Sequence, residues 1–150
     1  VVREFDPHYM WELSRIRYAL ELSAAEDAVK NMTDQGLERL RQIQAAQRED
    51  LSNYNVDEFI RHDREFHSCI YEMSLNRELM KLASNYYDVF RFLGMQAVMG
   101  TEERRLTTIE EHQDILEAME QHNPKVAVQA MKKHMEQTET NIRRHIKIAP

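Results

Sequence analysis

The sequence has few of the residues that break a chain into short segments: three glycines and three prolines in 150 positions, with no alternating run of Val, Ile and Thr. A β-sandwich or barrel needs turn signals every ~8–12 residues, so an all-β fold is excluded. A single cysteine, Cys69, rules out an intrachain disulfide framework and fits a reducing compartment. No uninterrupted apolar run approaches the ~20 residues of a bilayer span, and the start has no signal-peptide pattern. The expectation is a cytoplasmic chain with no membrane partner. Basic charge is also short: 20 Lys and Arg against 26 Asp and Glu give a net charge of −6. That balance lacks the basic footprint of a nucleic-acid-binding surface. The largest basic cluster, Arg143-Arg144-His145-Ile146-Lys147, closes the last helical pattern, where positive charge complements the helix dipole.

What is present is 42% hydrophobic and 31% charged residues, a globular balance in a length suited to one domain. Folding at this size buries roughly 68–70% of the unfolded surface, enough for a core without staples. The first residue is Val, so the chain reads as a fragment or processed product with room for a partner domain upstream.

The spacing predicts an antiparallel bundle of about six helices. The first runs from Pro7 to Met32 behind an Asp6 cap, the second from Thr33 or Asp34 to Glu49, and the third from Asn55 or Asp57 to Ser74. The fourth starts at Asn76, carries Leu79, Leu82, Tyr86, Tyr87, Phe90 and Leu93, and weakens after Gly94. The fifth spans Glu102 to about Gln121. His122-Asn123-Pro124 is a stop and restart, and the sixth runs to about Ile146.

Projecting each helix at ~100° per residue exposes polar residues where core belongs. On the third helix, Val56, Phe59, Ile60, Phe66, Ile70 and Met73 form the apolar stripe, opposite a solvated face that includes Arg61, Arg64 and Glu65. Asp63 falls inside the stripe, and His67 follows one turn later on the same face. An uncompensated carboxylate in a core costs several kcal/mol, so Asp63 requires a partner there. His112 shares a face with Ile109, Ile115, Leu116 and Met119, and His134 aligns with Ala127, Ala130, Met131 and Thr138. Three helices thus aim Asp63, His67, His112 and His134 at the core. One carboxylate and three imidazoles suit a borderline divalent ion (Zn, Ni, Fe or Mn, with Zn the default). The plainer alternative is that each His is a hydrogen-bonded core residue.

Arginines give a second signal. Arg17 lies on the apolar face of the first helix, Arg105 projects onto the His112 face two turns earlier, and Arg91 shares a face with Met80, Tyr87, Met95 and Val98. A buried guanidinium seeks a carboxylate or phosphate, which it binds bidentately. These three are candidates for holding an anionic effector. The alternative is an internal ion pair, for Arg17 with Glu12 or Glu21.

Taken in order, four segments resemble a known family. Glu12-Leu13-…-Arg17-…-Leu20-Glu21-…-Ala24-Ala25 resembles the opening helix of the FCD domain, the effector-binding half of FadR-subfamily transcription regulators in the GntR superfamily. Asp63-Arg64-Glu65-Phe66-His67 matches its D-x-x-F-H motif, with Asn76 at the usual Asn position after that helix. Glu111 to Met119 resembles E-H-x-x-I-L-x-A-I, with Met119 replacing the last apolar residue, and Ala127 to His134 resembles A-x-x-x-M-x-x-H. The resemblance implies an all-helical, dimer-forming domain over residues 7–150, with residues 1–6 ending an interdomain linker. It also implies a divalent metal on Asp63, His67, His112 and His134, a small carboxylic-acid effector, and Arg17 facing the pocket. Operator DNA would be met only by an upstream winged helix-turn-helix domain. Catalysis is not expected: no Glu-x-x-His pair occurs in the relevant positions, and no spare inward carboxylate is evident as a general base. A mononuclear metalloenzyme and a bundle with a purely structural metal are the alternatives.

Overall fold

The computed structural model describes residues 6–147, so the linker expected at residues 1–6 lies, except for Asp6, outside the described residues. Seven helices follow one another: α1 (Pro7–Asn31), α2 (Asp34–Ser52), α3 (Val56–Met73), α4 (Arg77–Asn85), α5 (Tyr87–Val98), α6 (Glu102–Glu120) and α7 (Pro124–His145). Six of them start on a short polar cap whose side chain accepts a backbone N–H of the first turn: Asp6, Thr33, Asn55, Asn76, Thr101 and Asn123. Each such cap contributes ~1 kcal/mol. With glycine scarce, three reversals use another residue in the left-handed region. Tyr54, Leu75 and His122 have φ of 56°, 54° and 53°, and each directly precedes an Asn cap.

The expected fourth helix is two. The chain turns at Tyr86 (φ −105°, ψ 13°), whose N–H closes α4 onto the carbonyl oxygens of Leu82 and Ser84. The Tyr86 carbonyl then accepts from Phe90 N at 2.8 Å to start α5, which has no side-chain cap. Neither Gly nor Pro marks the break, so the apolar pattern runs through it. Gly94 sits within α5 instead of ending it.

α1 packs on α7 and α3, α2 on α3 and α6, and α6 on α7, while α5 lies across α7 and α3. The core separates into two apolar clusters. One gathers Ala24, Ala28, Leu40, Phe66, Ile70, Ile115 and Met131, and the other Met10, Leu13, Phe59, Phe90, Leu93, Ile109 and Ile142. Along α1, α3 and α6 the chain passes from the second cluster to the first, and along α7 it returns. Between the clusters each helix carries buried polar residues: Arg17 and Glu21 on α1, Asp63 and His67 on α3, Glu111 and His112 on α6, His134 and Thr138 on α7. α2 adds Gln44 and Gln47 at the same level. A polar layer therefore crosses the middle of the bundle. No described helix is long and apolar enough to cross a membrane.

Candidate metal centre

His67, His112 and His134 are 0%, 0% and 3% exposed, and one ring nitrogen from each lies within 4.8 Å of the other two. α3, α6 and α7 deliver them to one point, with ring centroids 4.8 to 5.3 Å apart. Phe66 stacks on His112 at 4.0 Å and fixes that ring's plane.

The hydrogen bonds assign the nitrogens. His67 Nδ1 stands 2.9 Å from Glu21 Oε2, and His134 Nδ1 2.6 Å from Glu111 Oε2. His112 Nδ1 stands 2.8 Å from Gln47 Oε1, while Gln47 Nε2 faces the Asp63 carboxylate and the Phe59 carbonyl at 3.4 Å. Two acceptors around Nε2 fix the amide, leaving its oxygen to accept from His112. Each imidazole thus donates from Nδ1 and presents an Nε2 lone pair inward. Nε2 of His67 and of His134 lie 3.3 Å apart, and His112 Nε2 has no hydrogen-bond partner. Two lone pairs facing each other at that distance repel unless a cation is shared. Nitrogens held at ~2.1 Å from a metal stand roughly 3.0–3.4 Å apart at octahedral to tetrahedral angles, so the triad can hold an ion. Braced Nδ1–H groups are the usual support of metal-binding histidines. Asp63, 5% exposed, brings Oδ1 to 3.6 Å from His112 Nε2.

Electrostatics reinforce the assignment. Burial pushes the pKa of His67 down against the opposing pull of Glu21, and burial with repulsion from the neighbouring rings pushes His112 well below its ordinary value. Both imidazoles are therefore neutral at neutral pH. For Glu21, burial raises the pKa, but His67, Arg17 and Arg64 outweigh it and hold the carboxyl well below the usual range. Glu111 is likewise pulled down against burial by His134 and by Arg104, which grips it with two bonds of 2.8 and 3.0 Å. Because the unfolded chain protonates these histidines near pH 6.5 and the folded chain does so only lower, the stability they contribute is full above pH 6.5 and declines below it. Melting temperatures measured in chelator should therefore begin to fall as pH drops through 6.5. A flat profile down to pH 5 would contradict buried neutral imidazoles.

The arginine expectations divide. Arg17 is in the layer, 1% exposed, with Nε 3.3 Å from Glu21 Oε1, so the internal pair with Glu21 exists; its Nη1 has no partner. Arg91 is exposed, and its presumed stripe includes Met80 and Tyr87, which are themselves exposed. Arg105 is half-buried and donates to the Val98 carbonyl at 3.3 Å, beside Asp50 and Phe59 and apart from the histidines. The arginine that α6 brings to the site is the preceding one, Arg104. Glu21 and Glu111 are buried inward carboxylates, but both are spent on imidazoles and guanidinia. Arg64, expected on a solvated face, is 6% exposed. Gln47, Glu111 and Arg104 join the site without being among the residues expected there; the sequence signal for them is a polar residue at core spacing, as Gln47 follows Leu40 and Ile43. Cys69 is packed in the core, its thiol pushed up to about 11 by burial.

Fold and site define a helical domain built around a buried, carboxylate-braced histidine centre. The chain belongs to the FCD domain family, whose model matches residues 12–137. That family supplies the ligand-sensing domains of GntR-type transcription regulators and is not a family of enzymes. The chain is 30% identical over 138 residues to the Uxu operon regulator of Haemophilus influenzae strain Rd, covering 88% of this chain and 50% of that protein. It therefore spans about half the length of that relative. Two solved structures share the fold at 21% identity. Escherichia coli McbR/YncC has a TM-score of 0.83, covering 94% of this chain and 71% of that one. Streptococcus agalactiae GntR has a TM-score of 0.79, covering 92% and 62%.

Proposed function

We propose that this domain senses a small carboxylic acid through one divalent metal ion held by Asp63, His67, His112 and His134, within a dimeric, cytoplasmic bacterial regulator whose DNA contacts lie outside this chain. The observation that carries the reading is the convergence of three Nε2 lone pairs whose Nδ1 hydrogens are committed to Glu21, Gln47 and Glu111. Zn is the default ion, since imidazole and carboxylate donors suit it. When bound, the metal supplies a Lewis-acid docking point for a carboxylate oxygen. Arg17, buried in the same polar layer with an unpartnered Nη1 and held by Glu21, would neutralise the acid. The ligand acts as a signal by binding two arrangements of the helices unequally.

Elemental analysis of the purified chain, paired with thermal melts across small carboxylates with and without chelator, tests this. The expected result is about one metal per chain, with carboxylates raising the melting temperature only in the metal-loaded form. No metal and no chelator effect would return the three histidines to ordinary core residues.

A further inference from the structure

Two of the three histidine braces are carboxylates, and each has its own cation: Glu21 is paired with Arg17 and Glu111 with Arg104. The third differs. Gln47 is an amide, fully buried, on α2, a helix that supplies none of the four expected ligands. It touches two of those ligands at once. Its Oε1 stands 2.8 Å from His112 Nδ1, while its Nε2 lies 3.4 Å from Asp63 Oδ1 and from the Phe59 carbonyl oxygen. A carboxylate in that place could only accept, and its charge would face that of Asp63; an amide accepts on one side and donates on the other.

His112, fully buried and neutral, has one proton to place on two ring nitrogens. Stacking on Phe66, with the planes 3° apart, fixes the plane of the ring but not the nitrogen that holds the proton. With the proton on Nδ1 every group is matched: Nδ1–H donates to Gln47 Oε1, and Gln47 Nε2 donates to Asp63 and Phe59. With the proton on Nε2, Nδ1 needs a donor, so the amide would have to turn over. Its oxygen would then meet the Asp63 and Phe59 oxygens with no hydrogen among them. Only the first arrangement leaves a lone pair on Nε2 for a metal, since the bond made by one ring nitrogen decides what the other can do.

We propose that Gln47 is a positioning residue that selects the metal-binding tautomer of His112, its own orientation being set by Asp63 and the Phe59 carbonyl. Asp63 then serves the centre twice, as an expected ligand and, through Gln47, as the group that readies His112. The selection is made before any ion arrives. Its consequence for affinity rests on the metal reading above; the tautomer itself does not.

The test reads the tautomer directly. Nitrogen–proton NMR of the histidine rings in the metal-free chain separates Nδ1–H from Nε2–H, with the His112 signals identified by their loss in His112→Gln. The parent should show the Nδ1–H form. Gln47→Met keeps the length of the side chain and removes both polar atoms. There Nε2–H should rise from under about a tenth of the population to the majority, because Asp63 Oδ1, 3.6 Å from Nε2, is the acceptor left. Zn affinity, read by chelator competition, should fall roughly 10–100-fold. Gln47→Glu still accepts from Nδ1 and should restore the Nδ1–H form, which filling the space alone does not do. A parent whose His112 is Nε2–H overturns the proposal without any variant. So does a Gln47→Met chain that keeps Nδ1–H or binds Zn as tightly as its parent. A parent that shows Nδ1–H yet binds no Zn removes the metal reading and leaves the hold of Gln47 on the proton standing.

Discussion

Replacing His134 with alanine should strip the proposed metal from this domain, taking content from the expected one ion or so per chain to under about a tenth. The substitution removes one of three imidazoles that converge within 4.8 Å. It also frees Glu111, but Arg104 still binds that carboxylate through two hydrogen bonds, so no charge is left alone. The fold should therefore survive while the metal-linked stability is lost. An ion present at a thousandfold its dissociation constant stabilises by about 4 kcal/mol, which is roughly 8–16 °C for a domain of this length. His122→Ala, at an exposed turn, is the control and should keep its metal. Undiminished metal in His134→Ala would refute the site.

The position of that centre was legible in the sequence because a single helix projection detects a polar residue on an apolar stripe. Asp63, His67, His112 and His134 all interrupt such stripes, and all four are buried. The caps were legible for a similarly local reason, since Asn55, Asn76 and Asn123 satisfy N–H groups two or three residues ahead. The break at Tyr86 was not, because no turn residue marks it. That omission propagated. A single rod over α4 and α5 puts Arg91 on a stripe with Met80, Tyr87, Met95 and Val98, which mixes two helices: Met80, Tyr87 and Arg91 are exposed while Val98 is buried. It also concealed that α5 folds back over α3, where Tyr87 lies 6.0 Å from the Arg64 guanidinium and helps to bury it. Projection treats each helix alone, so it cannot show which neighbour covers a polar face.

Gln47, Glu111 and Arg104 illustrate the same limit. Their role is to hold other side chains, and the partners come from sequence separations of up to 65 residues. Spacing along one helix carries no record of such pairs. Arg104 rather than Arg105 faces Glu111 because seven residues at ~100° each return to within ~20° of the same face, whereas the six residues from Arg105 leave it ~120° away.

Glu21→Gln is expected to be among the most destabilising conservative substitutions in the chain. It keeps the shape of the side chain but removes the carboxylate that pairs Arg17 and accepts from His67, all three being 1% exposed or less. Removing one partner of a buried pair typically costs 3–5 kcal/mol, about 10 °C here, because the remaining charge stays desolvated. In chelator, the Arg17→Met/Glu21→Gln double variant should lose less than the sum of the single losses, by about 1–3 kcal/mol, since it removes both charges together. Strict additivity would mean that Arg17 and Glu21 are not coupled. In the proposed centre Glu21 would act on the metal only through His67, which makes it a positioning residue, and its loss should weaken rather than abolish metal binding. A roughly 10–100-fold fall in affinity, read by chelator competition, separates that role from the complete loss expected of His134→Ala. A Glu21→Gln chain that melts like its parent would show that Arg17 does not depend on this carboxylate.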